Sequence, residues 1–267
     1  MSQNEFYKNK TVWLIGASTG IGKETAIKLA QHGAKLILSS RSEDKLNEIL
    51  KILEKDGYGS EHKVVAFDIT DEEACKEAFG KASRGSGFDI FIYNSGYYNP
   101  SQSNDYNVEK SKDAILTIDV NLNGYLRILG HIIPFFKERK SGHIAVTASV
   151  AGYFGLPNAF SYGASKAALI NISEIMHAEL VKDNIKVQVI NPGFVKTPMT
   201  EKNDFPMPMA IEPKEAAENI VKGLSSNSFE IHFPKGFSYI LKFIRLLPYF
   251  LFFPITKAIS RTNDKKD

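Results

Sequence analysis

Tyr162 and Lys166, in the run Tyr162-Gly-Ala-Ser-Lys166, stand four residues apart and so share one face of a helix. An ammonium beside a phenol favours phenolate and lowers the phenol's pKa from its usual value of about 10. Such a pair can move a proton near neutral pH. Thirteen residues before Tyr162 stands Ser149, just past the apolar run His143 to Thr147. A hydroxyl beyond a strand's C-terminal end lies where open α/β sheets bind their ligands. A third group is the turn holding Gly16, Ser18, Thr19, Gly20, Ile21 and Gly22, spaced GxxxGxG. Glycines there let backbone N–H groups approach a pyrophosphate, and a helix N-terminus adds unpaired donors and a favourable dipole. Each motif alone is common: a tight turn uses glycines for shape, and an exposed Tyr/Lys pair needs no chemistry.

The elements that must position these residues are short apolar runs alternating with stretches of helical period from Thr11 to about Phe233. Expected strands are Thr11 to Ile15, Lys35 to Ser39, Lys63 to Phe67, Asp89 to Tyr93, His143 to Thr147, Ile185 to Ile190 and Phe229 to Phe233. Runs such as Val12-Trp13-Leu14-Ile15 are apolar without alternation, which fits burial on both faces. The fold expected is α/β, a Rossmann-type doubly wound parallel sheet of about seven strands in a single domain over residues 1–236. A chain of 267 residues with 43% hydrophobic content can bury one such core. The lone Cys75 excludes an intrachain disulfide, and the six histidines show no ligand-like pairing, so no metal is expected. The N-terminus lacks the apolar stretch of a secretory signal, and the expected location is cytoplasmic.

Taken in order, Gly16/Gly20/Gly22, then Asn94, Ser95 and Gly96, Asn121, Ser149, Tyr162, Lys166, Pro192 and Gly193 resemble the short-chain dehydrogenase/reductase family over roughly residues 8–233. That resemblance implies Tyr162 as general acid or base, Lys166 lowering its pKa and holding the nicotinamide ribose, and Ser149 binding the substrate oxygen. It implies that Asn121 sits at a helix kink and holds a water behind Lys166. Pro192, Gly193, Val195 and Thr197 would contact the nicotinamide carboxamide, and Asp68 the adenine, unless Asp68 caps a helix in company with Thr70 or Asp71. Two positions depart from the family pattern: Ile15 replaces a common Thr before Gly16, and Tyr93 replaces the first Asn of Asn-Asn-Ala-Gly. NAD-dependent members place a carboxylate at the end of the second strand. Here Ser40 and Arg41 stand there, which would welcome a 2′-phosphate, so NADP(H) is expected in preference to NAD(H), with reduction as the usual direction. The expected function is reduction of a ketone or aldehyde, with a non-catalytic NADP-binding sensor or scaffold as the competing class. A sugar-nucleotide epimerase is disfavoured by the glycine spacing and the short chain after Tyr162. The resemblance also implies a homodimer or homotetramer, and the segment with Pro206, Met207, Pro208 and Met209 would form a substrate lid.

The net charge of +3 is unevenly spread. Residues 235–267 carry seven cations against two carboxylates, leaving −2 on residues 1–234. The total is too small to suggest nucleic acid. Residues 237–267 are read as an appended amphipathic helical extension, and 16 of the 24 residues from Phe237 to Ser260 are apolar. One face is expected to hold Ile240, Phe243, Ile244 and Leu247, with Lys242 and Arg245 opposite. Pro248 interrupts the helix, and a second apolar run ends at Pro254. Neither half reaches the ~20 apolar residues of a bilayer span. Residues 237–260 therefore either lie on a membrane, at its inner face, or pack on their own domain or a partner subunit. An apolar, lipid-like carbonyl substrate follows from the same composition.

Overall fold

β-branched and aliphatic runs buried on both faces force their strands to the middle of a layered molecule, and the computed structural model shows that arrangement. It describes residues 2–59, 61–203 and 205–263, with side chains to residue 260. The charges of Arg261, Asp264, Lys265, Lys266 and Asp267, counted in the basic extension, lie outside the described side chains.

Seven parallel strands form one sheet: β1 (Thr11–Ile15), β2 (Lys35–Ser39), β3 (Lys63–Val64), β4 (Ile90–Tyr93), β5 (Gly142–Thr147), β6 (Ile185–Pro192) and β7 (Glu230–Phe233). Their order is β3-β2-β1-β4-β5-β6-β7. Alternate residues of each strand feed opposite faces. Val12 and Leu14 pack under helices α2 (Gly20–Gln31), α3 (Glu43–Lys55) and α8 (Pro213–Leu224). Trp13 and Ile15 pack on the other face, under α4 (Glu72–Ala82), α6 (Gly124–Arg139) and α7 (Phe160–Leu180). The chain winds outward from β1 to β3, then returns to place β4 beside β1. That reversal opens a crevice at the C-terminal ends of β1 and β4.

The remaining helices are α1 (Gln3–Tyr7), α5 (Val108–Ile118), α9 (Lys235–Arg245) and α10 (Tyr249–Asn263). Between α5 and α6 the chain runs through one wide π-helical turn, Asp119–Asn123, which is the kink expected at Asn121.

Three expectations are corrected. The third strand is Lys63–Val64 and not Lys63 to Phe67, because as an edge strand it pairs only with β2. Val65 and Phe67 still donate to Leu38 and Ser40, so the ladder continues irregularly. On α9 the face that docks is Phe237, Leu241 and Ile244, while Ile240 and Phe243 face outward; Lys242 turns to Glu230 instead of joining Arg245 on a free polar face. The second apolar run does not end at Pro254, since α10 continues through it to Asn263. Among the described residues no helix is long and apolar enough to cross a membrane.

One buried group makes the fold sensitive to acid. His143, fully enclosed on β5, shares a 2.8 Å hydrogen bond between Nε2 and Gln188 Oε1, and its Nδ1 has no partner. Gln188 spends its amide on backbone carbonyls, so Nε2 carries the proton and the imidazole is neutral. Burial, reinforced by nearby Lys186, pushes the imidazole pKa down to about 3. The depressed pKa stabilises the fold above the unfolded value of about 6.5, and this contribution is lost as pH falls toward 3. Between pH 7 and pH 5 it accounts for about 2 kcal/mol. Urea titrations should show that much less pH dependence in His143→Phe over this interval; an unchanged slope would exclude the assignment.

Candidate active site

The crevice is a cleft of about 500 Å³ built mostly from strand ends. After β1, Gly16 turns the chain at φ +84°, and its N–H and that of Ala17 donate to the Ser39 carbonyl at the end of β2. Thr19 precedes α2 without a side-chain cap bond, so the first-turn N–H groups have no internal partner. Gly16, Ser18, Thr19, Gly20 and Ile21 line the cleft. Gly22 does not. It sits behind the turn, where a Cβ would come 2.0 Å from the Gly16 carbonyl oxygen and 2.7 Å from Asn94 Nδ2. Its smallness lets α2 close on the turn. Asn94 crosses the crevice to donate to the Gly16 carbonyl at 3.0 Å.

Ser40 and Arg41, following β2, line the same cleft, as do Asp68, Asn94, Ser95 and Gly96. Asp68 is not a helix cap. Its Oδ1 accepts from the Thr70 amide at 2.9 Å and hydroxyl at 2.8 Å, and Asp71 caps α4 by accepting from the Ala74 amide. At the other end stand Ser149, Tyr162, Lys166, Pro192, Gly193, Val195 and Thr197.

Tyr162 and Lys166 come together on α7 as their spacing requires. Lys166 Nζ lies 5.5 Å from the phenol ring centroid and donates to the Thr147 carbonyl at 2.8 Å. Lys166 is buried and Tyr162 is partly buried at the cleft wall, and burial penalises both charged forms. It pushes the phenol up to about 12, with the facing Ser149 hydroxyl pulling it down, and pushes the ammonium down to about 7. The direction expected for the Tyr162 pKa is therefore corrected: desolvation raises it, and Ser149, not Lys166, pulls it down. Ser149 Oγ donates to the Pro192 carbonyl at 3.4 Å and accepts from the Ala151 amide at 3.1 Å.

Asn121 lies beneath the cleft and does not line it. Its Oδ1 accepts from the Tyr97 amide at 2.7 Å, and its Nδ2 donates to the Tyr97 carbonyl and the Ser165 hydroxyl. A Cβ on Gly96 would touch Asn121 Oδ1 and Lys166 Nζ at 3.6 and 3.8 Å, so the two groups flank one glycine. The two unusual residues meet as well. Ile15 and Tyr93 are register partners on β1 and β4, and the Tyr93 hydroxyl donates to the Val120 carbonyl inside the π-turn at 2.5 Å. The Tyr93 phenol thus braces the turn that presents Asn121.

A second cavity of about 330 Å³ meets the first at Ser149 and Tyr162. Its walls are largely apolar: Leu156, Phe194, Phe205, Pro206, Pro208, Phe237 and Leu241 among them. Phe205, Pro206 and Pro208 come from the segment expected to be a lid; Met209 of that segment is exposed. Tyr98, not singled out from the sequence, stands edge-on to Tyr162 with ring centroids 4.8 Å apart and donates to Asn203 Oδ1 at 2.9 Å. Ser165 and Asp113 were also missed. Asp113 accepts from Tyr97 and Asn99, tying α5 to the loop after β4. The signal for Tyr98 was its place in the Tyr97-Tyr98 pair that follows Gly96, in the loop beyond β4.

Residues 10–206 match the short chain dehydrogenase family. The chain belongs to that family. The chain is also similar to two proteins described as uncharacterized oxidoreductases: one from Staphylococcus epidermidis is 36% identical over 222 residues, covering 83% of this chain and 93% of its own length. The other, from Myxococcus xanthus, is 30% identical over 244 residues, covering 91% and 94%. Among solved structures, a short chain dehydrogenase from Burkholderia cenocepacia in complex with NADP superposes with a TM-score of 0.76 at 24% identity, covering 90% of this chain and 94% of that one. The short-chain dehydrogenase fold binds a nicotinamide cofactor, and the residues of this cleft fit one: the turn leaves backbone donors free, a Cβ at Gly16 would lie 2.5 Å from the Ser95 amide nitrogen, and Arg41 supplies a cation.

Proposed function

We propose that this oxidoreductase uses NADP(H) to reduce an apolar, lipid-like ketone or aldehyde. The observation that carries the reading is the junction at Ser149 and Tyr162: a polar cleft with helix-terminus donors on one side and an apolar cavity on the other. The cofactor would be held by the Gly16–Ile21 turn, Ser40, Arg41, Asp68, Asn94–Gly96, Lys166 and the Pro192–Thr197 segment, and it supplies the hydride. Tyr162 supplies the proton. A phenol pushed up to about 12 stays protonated at neutral pH, the state an acid in carbonyl reduction requires. Ser149 would hold the substrate oxygen, and Lys166 would stabilise the phenolate left behind. Asn121 acts through Tyr97 and Ser165 as a positioning residue. The outward-facing Ile115 of α5 and Leu126 of α6 support assembly as a homodimer or homotetramer.

The test is a screen of apolar ketones and aldehydes of increasing chain length, followed by NADPH absorbance. Turnover should rise with chain length until the cavity is filled; activity confined to small polar carbonyls would reject the substrate class. Arg41→Ala should weaken NADPH binding by about 10- to 100-fold and leave NADH nearly unchanged, as expected for a charge-assisted phosphate contact. Equal loss for both cofactors would remove the phosphate role of Arg41.

A further inference from the structure

Helices α9 and α10 present an outward apolar surface that the fold does not use. Tyr239, Ile240 and Phe243 on α9 and its C-cap Leu246 fall within one third of the helical circumference, and Leu246 is 82% exposed. The surface continues past Pro248 through Tyr249, Phe250 (75% exposed), Leu251 and Phe253 on α10. Four of these residues are Phe or Leu standing at least half out of the protein, in a stretch where a monomer would gain by hiding them. The inward faces are already satisfied: Leu241 and Phe252 pack with Val150 and Phe154. Lys242, at the border of the stripe, is clamped to Glu230, which also accepts from Tyr153 and Asn191. The outward presentation is therefore built in.

The charges around the stripe identify its partner. From Ile231 to Asn263 the chain has no carboxylate. Lys235, Arg245 and Lys257 flank the apolar residues, are exposed and form no ion pair among the described residues. A two-fold contact with a second copy would lay this cationic, carboxylate-free stretch against the same stretch of its partner. An anionic lipid surface instead neutralises them while its acyl region receives the aromatic and aliphatic side chains.

We propose that α9 and α10 dock the protein on an anionic bilayer, with Phe243, Leu246 and Phe250 inserted and Lys235, Arg245 and Lys257 at the headgroups. The same two helices wall the apolar cavity with Phe237, Leu241 and Ile259. Resting on the reductase reading above, this places the substrate cavity beside lipid, so that a bilayer-dissolved carbonyl reaches Tyr162 without crossing water.

Flotation of the full-length protein tests the docking without reference to turnover. Vesicles of phosphatidylglycerol with phosphatidylcholine should carry the protein upward at low salt, and phosphatidylcholine alone should carry little. The triple variant Phe243→Ser, Leu246→Ser, Phe250→Ser and the charge variant Arg245→Glu, Lys257→Glu should each weaken association by at least ~10-fold. Both should keep wild-type turnover of a short water-soluble carbonyl, which separates failure of docking from failure of the reductase reading. Absence of flotation at low salt overturns the proposal. So does a triple variant that still floats but drops from a larger oligomer to a smaller one on size exclusion, since the stripe would then be a subunit contact.

Discussion

Tyr162→Phe should reduce turnover by about 10²- to 10⁴-fold while NADPH affinity changes little. The substitution removes one oxygen from a partly buried ring that keeps its edge-on contact with Tyr98 and its place beside Lys166, so the fold should hold. What would be lost is the hydroxyl proposed as proton donor at the junction of the two cavities. The Ser149 hydroxyl faces the same point, with a long 3.4 Å bond to the Pro192 carbonyl and the Ala151 amide donating to it, and in the proposed reaction it holds the substrate oxygen without replacing the lost acid. Steady-state kinetics paired with a binding isotherm would separate the two quantities. Turnover equal to wild type would sink the general-acid assignment, whereas equal loss of binding and turnover would reassign Tyr162 to the cofactor site alone.

The second large effect is expected from a methyl group. Gly22→Ala would place a Cβ 2.0 Å from the Gly16 carbonyl oxygen and 2.7 Å from Asn94 Nδ2, the two partners of the bond that closes the crevice. The first is backbone, and the second is a side-chain end that would have to give up its bond to that carbonyl. Helix α2 must move away from the turn, or the turn must open. Overpacking of this kind costs about 3 kcal/mol. A displacement near 1 Å of the first-turn donors should lower NADPH affinity by roughly 10². Gly130→Ala is the control, because nothing lies within 4 Å of its added Cβ and α6 gains helix propensity there. Thermal melts and cofactor titrations on both variants decide the matter. Wild-type affinity in Gly22→Ala would show that the turn tolerates a looser approach than its contacts indicate.

The sheet was legible because its signal is local: runs such as Val12 to Ile15 and Ile90 to Tyr93 are apolar on both faces, and parallel strands buried on both faces need just that. β3 was overextended because the apolar run does not reveal that an edge strand has only one neighbour. The family resemblance named the cleft residues, and the chain's course brings most of them together. Gly22 was grouped with the cofactor-binding glycines although it works behind the turn through the absence of a side chain, whereas Asn121 was expected at a kink behind Lys166 and holds the backbone of Tyr97 from there. Spacing cannot distinguish touching a ligand from shaping the wall behind it. The Tyr162 ionisation went the other way because sequence shows the neighbouring cation and not the depth of burial. On α9 two apolar stripes compete, and amphipathic pattern alone does not say which one the protein keeps for itself.

Trp13 is the chain's single tryptophan, and it is wholly buried among Phe67, Phe88 and Phe91. Its indole donates to the Ser39 hydroxyl at 2.9 Å, and the carbonyl of the same serine receives the Gly16 and Ala17 amides of the cofactor turn. One residue thus joins the chromophore to the nucleotide cradle. Intrinsic fluorescence should therefore report cofactor binding directly, as energy passed from a single indole to a reduced nicotinamide, with no second tryptophan to blur the signal and no label to attach.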